Sequence, residues 1–223
     1  MKILITAGST KTMIDQVRCI SNVFKGRTGF EISKYLTEKG HQVKLITSNT
    51  EIIPDHYWAD VEKYRTYDEL YDLMKEHIST GDYDVVIHSA AVSDYKPVAT
   101  CVKVNGHLKE IDSSSKVGSE HSELYLKMIP TEKIIDKIRS EWGFKGTLVK
   151  FKLQVNMLDC ELIDIAVDSM RHSEADIIVA NCLEWSRERA YIIRDKAPAF
   201  NMENVQRNDL PKKLLEEIGE IIR

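Results

Sequence analysis

The 223 residues carry 31 Lys and Arg against 35 Asp and Glu, a formal net charge of −4, which argues against an electrostatic binder of nucleic acid. Hydrophobic residues make up 43% of the chain, no apolar run nears the ~20 residues that cross a bilayer, and no signal peptide is legible, so a soluble, cytoplasmic protein built as a single domain over residues 1–223 is expected. Four widely spaced cysteines (Cys19, Cys101, Cys160, Cys182) have no CxxC pairing and read as reduced thiols; seven scattered histidines show no ligand spacing, so no protein metal ligands are assigned.

In chain order, Lys2–Thr6 is a short apolar strand that runs into the small-residue turn Ala7-Gly8-Ser9-Thr10. A long polar loop carrying Arg18, Ser21 and Asn22 separates this turn from Gly26 and Gly29, which frame a helix over Gly29–Lys39 closed by Gly40. Gln42–Thr47 is the next strand, and strand, loop, helix and strand make a βαβ unit with parallel neighbours. Asp60–Tyr64 is a short third strand. Tyr67–Ser79 is a helix with Leu70, Leu73, Met74 and Ile78 on one face, capped by Thr66 or Asp68. Asp84–Ser89 is a buried strand whose carboxyl-end loop is Ala90–Pro97. Small residues there let a ligand approach the backbone.

From Val98 to Ser122 the periodicity fails, and an excursion of about residues 98–122 off the sheet is expected, followed by a strand at Glu123–Met128. Pro130 and Thr131 open a helix over Glu132–Trp142. Thr147–Leu153 is a strand, Cys160–His172 an amphipathic helix and Asp176–Asn181 a buried strand. Ala190–Arg194 with Ala199–Asn201 forms a terminal hairpin, and Pro211–Ile222 closes the chain as a helix. The alternation predicts an α/β fold of Rossmann-like, three-layer type, with a mostly parallel sheet and a flap excursion.

In such sheets ligands bind beyond the carboxyl ends of the strands. That gathers Ala7–Asn22, His88–Pro97, Phe151–Val155 and Asn181 onto one edge. Gly8 permits a tight turn against a phosphate, or is a turn residue only. Arg18 suits a phosphate or carboxylate and Asn22 an acyl oxygen; alternatively both tie down their own loop. Ser89, Ala90 and Ala91 give close backbone access. Asp94 suits a ribose hydroxyl or a magnesium-bound water, or a plain turn. Lys116 and Lys127 are candidates for triphosphate charge. Phe151 is a base-stacking platform or a core aromatic.

These residues resemble the phosphopantothenate–cysteine ligase family, most closely its stand-alone form. The resemblance rests on Ile3–Gly8 with Thr10 and Ile14-Asp15, on Val17-Arg18-Cys19-Ile20-Ser21-Asn22, on Gly26 and Gly29, on His88–Pro97, and on Lys116, Glu123–Met128, Phe151-Lys152-Leu153 and Ala175–Asn181. It implies a two-step ligation. A nucleoside triphosphate, CTP or ATP, activates the carboxylate of 4′-phosphopantothenate with magnesium on the phosphates. The amine of L-cysteine then attacks the acyl-nucleotidylate. The resemblance gives catalytic roles to Arg18, Asn22 and Lys116, nucleotide contacts to Gly8, Ser89, Ala90, Ala91, Asp94, Lys127 and Phe151, and a homodimeric assembly. The chain departs from the family pattern at Ser9, at Val23-Phe24-Lys25, at Cys182, and at Asp168 and His172, which align with two family lysines. Those departures keep open a non-catalytic ligand-binding homologue. An NAD(P)-dependent reductase is the third reading; the wide glycine spacing and the lack of a Tyr-x-x-x-Lys pair count against it.

Overall fold

A computed structural model describes residues 1–57, 59–196 and 199–222. Its strands are β1 (Lys2–Ala7), β2 (Lys11–Met13), β3 (Cys19–Ser21), β4 (Gln42–Thr47), β5 (Asp60–Lys63), β6 (Val85–His88), β7 (Tyr95–Val104), β8 (His107–Ile111), β9 (Tyr125–Pro130), β10 (Thr147–Gln154), β11 (Ile177–Cys182), β12 (Arg189–Lys196) and β13 (Ala199–Gln206). The helices are α1 (Arg27–Glu38), α2 (Tyr67–Thr80), α3 (Ile134–Ser140), α4 (Asp159–His172) and α5 (Leu210–Ile222).

The main sheet runs β13-β12-β11-β10-β6-β1-β4-β5. Its pairs from β11 to β5 are parallel, and β12 and β13 add an antiparallel hairpin at one edge. Strands covered on both faces carry apolar side chains in both directions, and β1 shows why. Leu4 points into the core beneath α2, α3 and α4, while Ile3, Ile5 and Ala7 point into the core beneath α1 and α5. All four are fully buried, so truncating Leu4 to Ala removes about 2–5 kcal/mol of stability. The three-layer, mostly parallel architecture expected from the sequence is present. α2 is capped by Thr66, whose hydroxyl accepts the Glu69 N–H (3.3 Å) while the Glu69 carboxylate accepts the Thr66 N–H (3.2 Å), a reciprocal cap.

Three local expectations need correction. The polar loop after β1 is partly a hairpin, β2 with β3, paired from Lys11↔Ser21 to Met13↔Cys19. The segment after His88 is no plain excursion. β7 begins at Tyr95, inside the expected loop, and forms a second sheet of order β8-β7-β9. Its hairpin turns at Asn105-Gly106, both at positive φ (51° and 81°), between the paired Val104 and His107. That dipeptide is a strong two-residue hairpin signal. Finally, Pro130 ends β9, paired with Tyr95, and does not open a helix; β9 is an edge strand, where a residue without an N–H is tolerated. α3 accordingly starts later, at Ile134, and is shorter than expected. The terminal hairpin β12–β13 forms as expected, and residues 197–198 lie outside the described residues.

Candidate active site at the carboxyl edge of the sheet

β1 lies between β6 and β4, so the chain crosses to opposite sides of β1 at this point, and a crevice opens beyond the carboxyl ends where such reversals occur. Gly8 leaves β1 at φ +87°, and a Cβ there would stand 2.2 Å from the Ser48 hydroxyl oxygen. Gly26, at φ +80°, brings the start of α1 onto Gly8, and a Cβ on Gly26 would stand 2.4 Å from the Gly8 nitrogen. Only glycine fits either position. Gly29 seats the first turn of α1 against Ser89 and Ala7.

Two loops are stitched together above this floor. Ala91 N–H donates to the Gly8 carbonyl (2.8 Å), and the Ala91 carbonyl accepts both the Thr10 N–H (3.2 Å) and the Asn22 Nδ2 (3.3 Å). Both acceptor positions of that carbonyl are therefore used. Ser9 and Ser21 hydroxyls meet at 3.0 Å, and the Thr10 hydroxyl accepts the Ser93 N–H at 2.8 Å. Asn22, Gly8, Ser89, Ala90 and Ala91 thus share one edge, with Asn22 exposed to an incoming ligand.

Arg18 stands at the tip of the β2–β3 hairpin. Its Nε and Nη2 donate to Asp15 Oδ2 (2.9 and 2.5 Å), and Nη2 also reaches the Val117 carbonyl (2.6 Å). Asp15 is buried, accepts the Val17 and Arg18 backbone N–H groups on Oδ1, and takes the Val117 N–H on Oδ2 (3.1 Å). The Arg18 guanidinium beside it, followed by these N–H donors, holds the Asp15 carboxyl well below the usual carboxylate range. Arg18 Nη1 makes no hydrogen bond among the described residues and remains available to a ligand. Lys116 is exposed and directly precedes Val117, whose backbone is held by Arg18 and Asp15.

Asp94 follows the stitched Ser93, while Lys127, Phe151, Asp168 and His172 stand on β9, β10 and α4. Asp94 is exposed and ion-paired with Lys133. Lys127 is exposed on β9, opposite Ala99. Phe151 is half-buried and packs into the α1/α5 side of the core. Asp168 and His172 are exposed on α4, where His172 meets Asp136 at 3.4 Å. Lys150 of β10 donates to the Ser169 carbonyl of α4 and to the hydroxyl of Ser173, which caps the end of α4 (2.8 and 2.9 Å). Sequence reasoning gave Lys150 no role, because an apolar strand run hides which face a lone lysine takes. Burial lowers its pKa to about 8. Next to it in register, buried His88 shares a 2.9 Å hydrogen bond with the Thr6 hydroxyl; burial, then the Lys150 charge, lower its pKa to about 4.

A Rossmann-like α/β protein with a ligand edge built from a glycine floor, two stitched loops and an anchored flap is the class these features define. Over residues 1–222 the sequence matches the family described as DNA/pantothenate metabolism flavoprotein C-terminal domain, and the chain belongs to that family. It is 29% identical over 223 residues to the coenzyme A biosynthesis bifunctional protein CoaBC of Thermococcus kodakarensis, covering 99% of this chain and 51% of that protein. The chain thus spans about half the length of that relative. Among solved structures, the DNA/pantothenate metabolism flavoprotein from Streptococcus pneumoniae superposes with a TM-score of 0.84 at 31% identity, covering 99% of both chains. A Cab2 variant solved in complex with phosphopantothenate-cysteine shares the fold, with a TM-score of 0.73 at 13% identity over 99% of this chain and 87% of that one.

Proposed function

We propose that the chain is a phosphopantothenate–cysteine ligase of coenzyme A biosynthesis. One observation carries the reading beyond family membership. The Ala91 carbonyl fastens the Val17–Asn22 loop to the His88–Pro97 loop through Thr10 and Asn22, so the two stretches that carry the sequence resemblance form one edge. A carboxylate is a poor electrophile until one of its oxygens joins a better leaving group. In the first step a carboxylate oxygen of 4′-phosphopantothenate bonds to the α-phosphorus of the nucleotide and pyrophosphate leaves. In the second, the cysteine amine bonds to the acyl carbon, the nucleoside monophosphate leaves, and the amine gives up a proton.

The chain's own groups serve these steps by position and charge. Asn22 Nδ2 is exposed and held by a long hydrogen bond, ready to turn to the acyl oxygen. Arg18 Nη1 faces the developing charge from a guanidinium that Asp15 holds rigid. Lys116, on the flap, balances pyrophosphate as it departs. We take CTP as the nucleotide, with ATP as the alternative, carried with magnesium. Among the described residues no three His, Cys, Asp or Glu side chains converge as a metal cage. A magnesium ion would be held mainly by phosphate oxygens and would supply charge neutralisation there, with Asp94, now ion-paired with Lys133, the carboxylate the reading assigns to it. A homodimer is part of the proposal, supported by the exposed Tyr95, Val98, Val104 and Leu108 of the second sheet, as is a cytoplasmic location. No helix among the described residues is long and apolar enough to cross a membrane. The test is pyrophosphate release from CTP or ATP with phosphopantothenate, with and without cysteine. Release from neither nucleotide would sink the reading.

A further inference from the structure

Three buried polar side chains lie side by side in the middle of the apolar sheet. Thr6 of β1 pairs with His88 of β6, and His88 pairs with Lys150 of β10. The next partners outward are Ile46 and Ile178. Leu4, Val86 and Leu148, two residues earlier in the same strands, belong to the core beneath α2, α3 and α4, so the polar three point to that side as well. Lys150 turns to the end of α4. His88 turns to Thr6, with its Nδ1 standing 2.9 Å from the Thr6 hydroxyl oxygen. That oxygen also accepts the Ala90 N–H (3.2 Å), and the Thr6 carbonyl accepts the Ser89 N–H (3.3 Å) and the Ser89 hydroxyl (2.6 Å). Thr6 therefore fixes the first two residues after β6, and the next residue, Ala91, holds Asn22.

The direction of the His88–Thr6 bond follows from counting. A hydroxyl has one proton and two lone pairs. The Ala90 N–H occupies one lone pair, and among the described residues the proton has no acceptor except Nδ1. A ring protonated on Nδ1 would leave that proton unpaired on a side chain with no solvent contact, an unfavourable arrangement. The neutral ring therefore carries its one proton on Nε2. We infer that His88 is a positioning residue of the ligation. By taking the Thr6 hydroxyl proton it turns a lone pair of that hydroxyl onto the Ala90 N–H, and so sets the loop that carries Ala91 and, through it, Asn22. The reaction rests on the ligase reading; the hydrogen-bond chain does not. An apolar side chain in place of His88 would fill the core, but would leave the Thr6 hydroxyl free to rotate and the loop less firmly placed. A misplacement of about 1 Å at reacting groups costs up to ~10²-fold in rate.

The experiment compares His88→Leu with His88→Asn in the full chain. Leucine keeps apolar bulk and removes the acceptor, whereas asparagine offers Oδ1 near the place of Nδ1. A role in packing alone favours leucine, because asparagine buries a polar amide; a positioning role favours asparagine. His88→Leu is expected to raise hydrogen exchange at the Ala90 amide about tenfold. It is also expected to lower kcat for phosphopantothenoylcysteine formation by about 10–100-fold, with His88→Asn closer to wild type in both measurements. If the leucine variant does not fold, Thr6→Val removes the hydroxyl at near-constant shape and is expected to show the same two changes. Leucine equal to or better than asparagine, or wild-type exchange and kcat in Thr6→Val, overturns the inference. So do nitrogen-15 shifts that place the His88 proton on Nδ1. A wild-type chain that forms no product defeats the ligase reading alone, and the Ala90 exchange rates still decide the hydrogen-bond chain.

Discussion

The Asp15 carboxylate accepts the backbone N–H of Val117, 102 residues further along the chain, at 3.1 Å. The same oxygen takes two bonds from Arg18, whose Nη2 returns to the Val117 carbonyl. One buried carboxylate therefore clamps the hairpin to the flap and holds Arg18 rigid. Gln16 adds a bond to the Ser114 carbonyl at 2.6 Å. Asp15→Ala is expected to release both. Hydrogen exchange at the Val117 amide should rise at least tenfold, and pyrophosphate release should slow by more than the loss in substrate affinity explains. An unchanged Val117 exchange rate would show that the clamp does not order the flap.

Asn22 offers a second, sharper test. Its exposed carboxamide reaches the Ala91 carbonyl at 3.3 Å, a long bond that is readily exchanged for a ligand oxygen. Asn22→Asp replaces a donor by a negative charge of similar size. The nucleotidylate is expected to form, while its capture by cysteine slows by about 10²–10³-fold, the usual cost of one positioned donor. Rapid-quench separation of the two steps measures this. A variant that turns over cysteine at the wild-type rate removes Asn22 from the second step.

The parts of this fold that were legible in the sequence are those that one local rule decides. β1, β4, β6, β10 and β11 are apolar on both faces because helices cover both faces, and such runs stand out. Gly8 and Gly26 mark positions where a side chain cannot fit. The β2–β3 hairpin was hidden because three-residue strands leave no period to count. The outer sheet was hidden because β8 is almost wholly exposed, so it lacks the polar–apolar alternation of a half-buried strand; its Asn105-Gly106 turn was the available signal. At the site, the two edge loops were readable from residue type and place. Lys150 was not, because a lone basic residue in sequence is ordinarily solvated, and only the packing shows that it is buried.

His88 gives the stability of the chain an acid limb. Unfolded, its imidazole takes up a proton near pH 6.5; folded, burial delays this to about pH 4. Between those values the unfolded state binds more protons, so stability rises with pH. The contribution is fully present above pH 6.5 and is lost as the pH falls through 4, by up to about 3 kcal/mol. Denaturant unfolding at pH 7 and pH 4.5 should show this loss in the wild type, on top of carboxylate effects. His88→Gln should show a smaller difference between the two pH values. Equal pH dependence in the two chains would mean that His88 is protonated in the fold without cost.

Lys150 lies beside His88 in register and carries a charge that opposes protonation of the imidazole. Its own pKa is lowered to about 8 by burial, against the pull of Asp136. The folded chain therefore tolerates the ammonium poorly. That cost is present below pH 8 and is relieved as the pH rises from 8 toward the unfolded value of 10.5. The Ser169 carbonyl and Ser173 hydroxyl offset part of it at the C-terminus of α4. Lys150→Met keeps most of the volume and deletes the charge. It should raise the His88 pKa, yet leave it below 6.5, because burial is the larger of the two causes. A proton NMR titration of the His88 ring in both chains measures the shift. If the two titrations coincide, the charge of Lys150 does not act on His88.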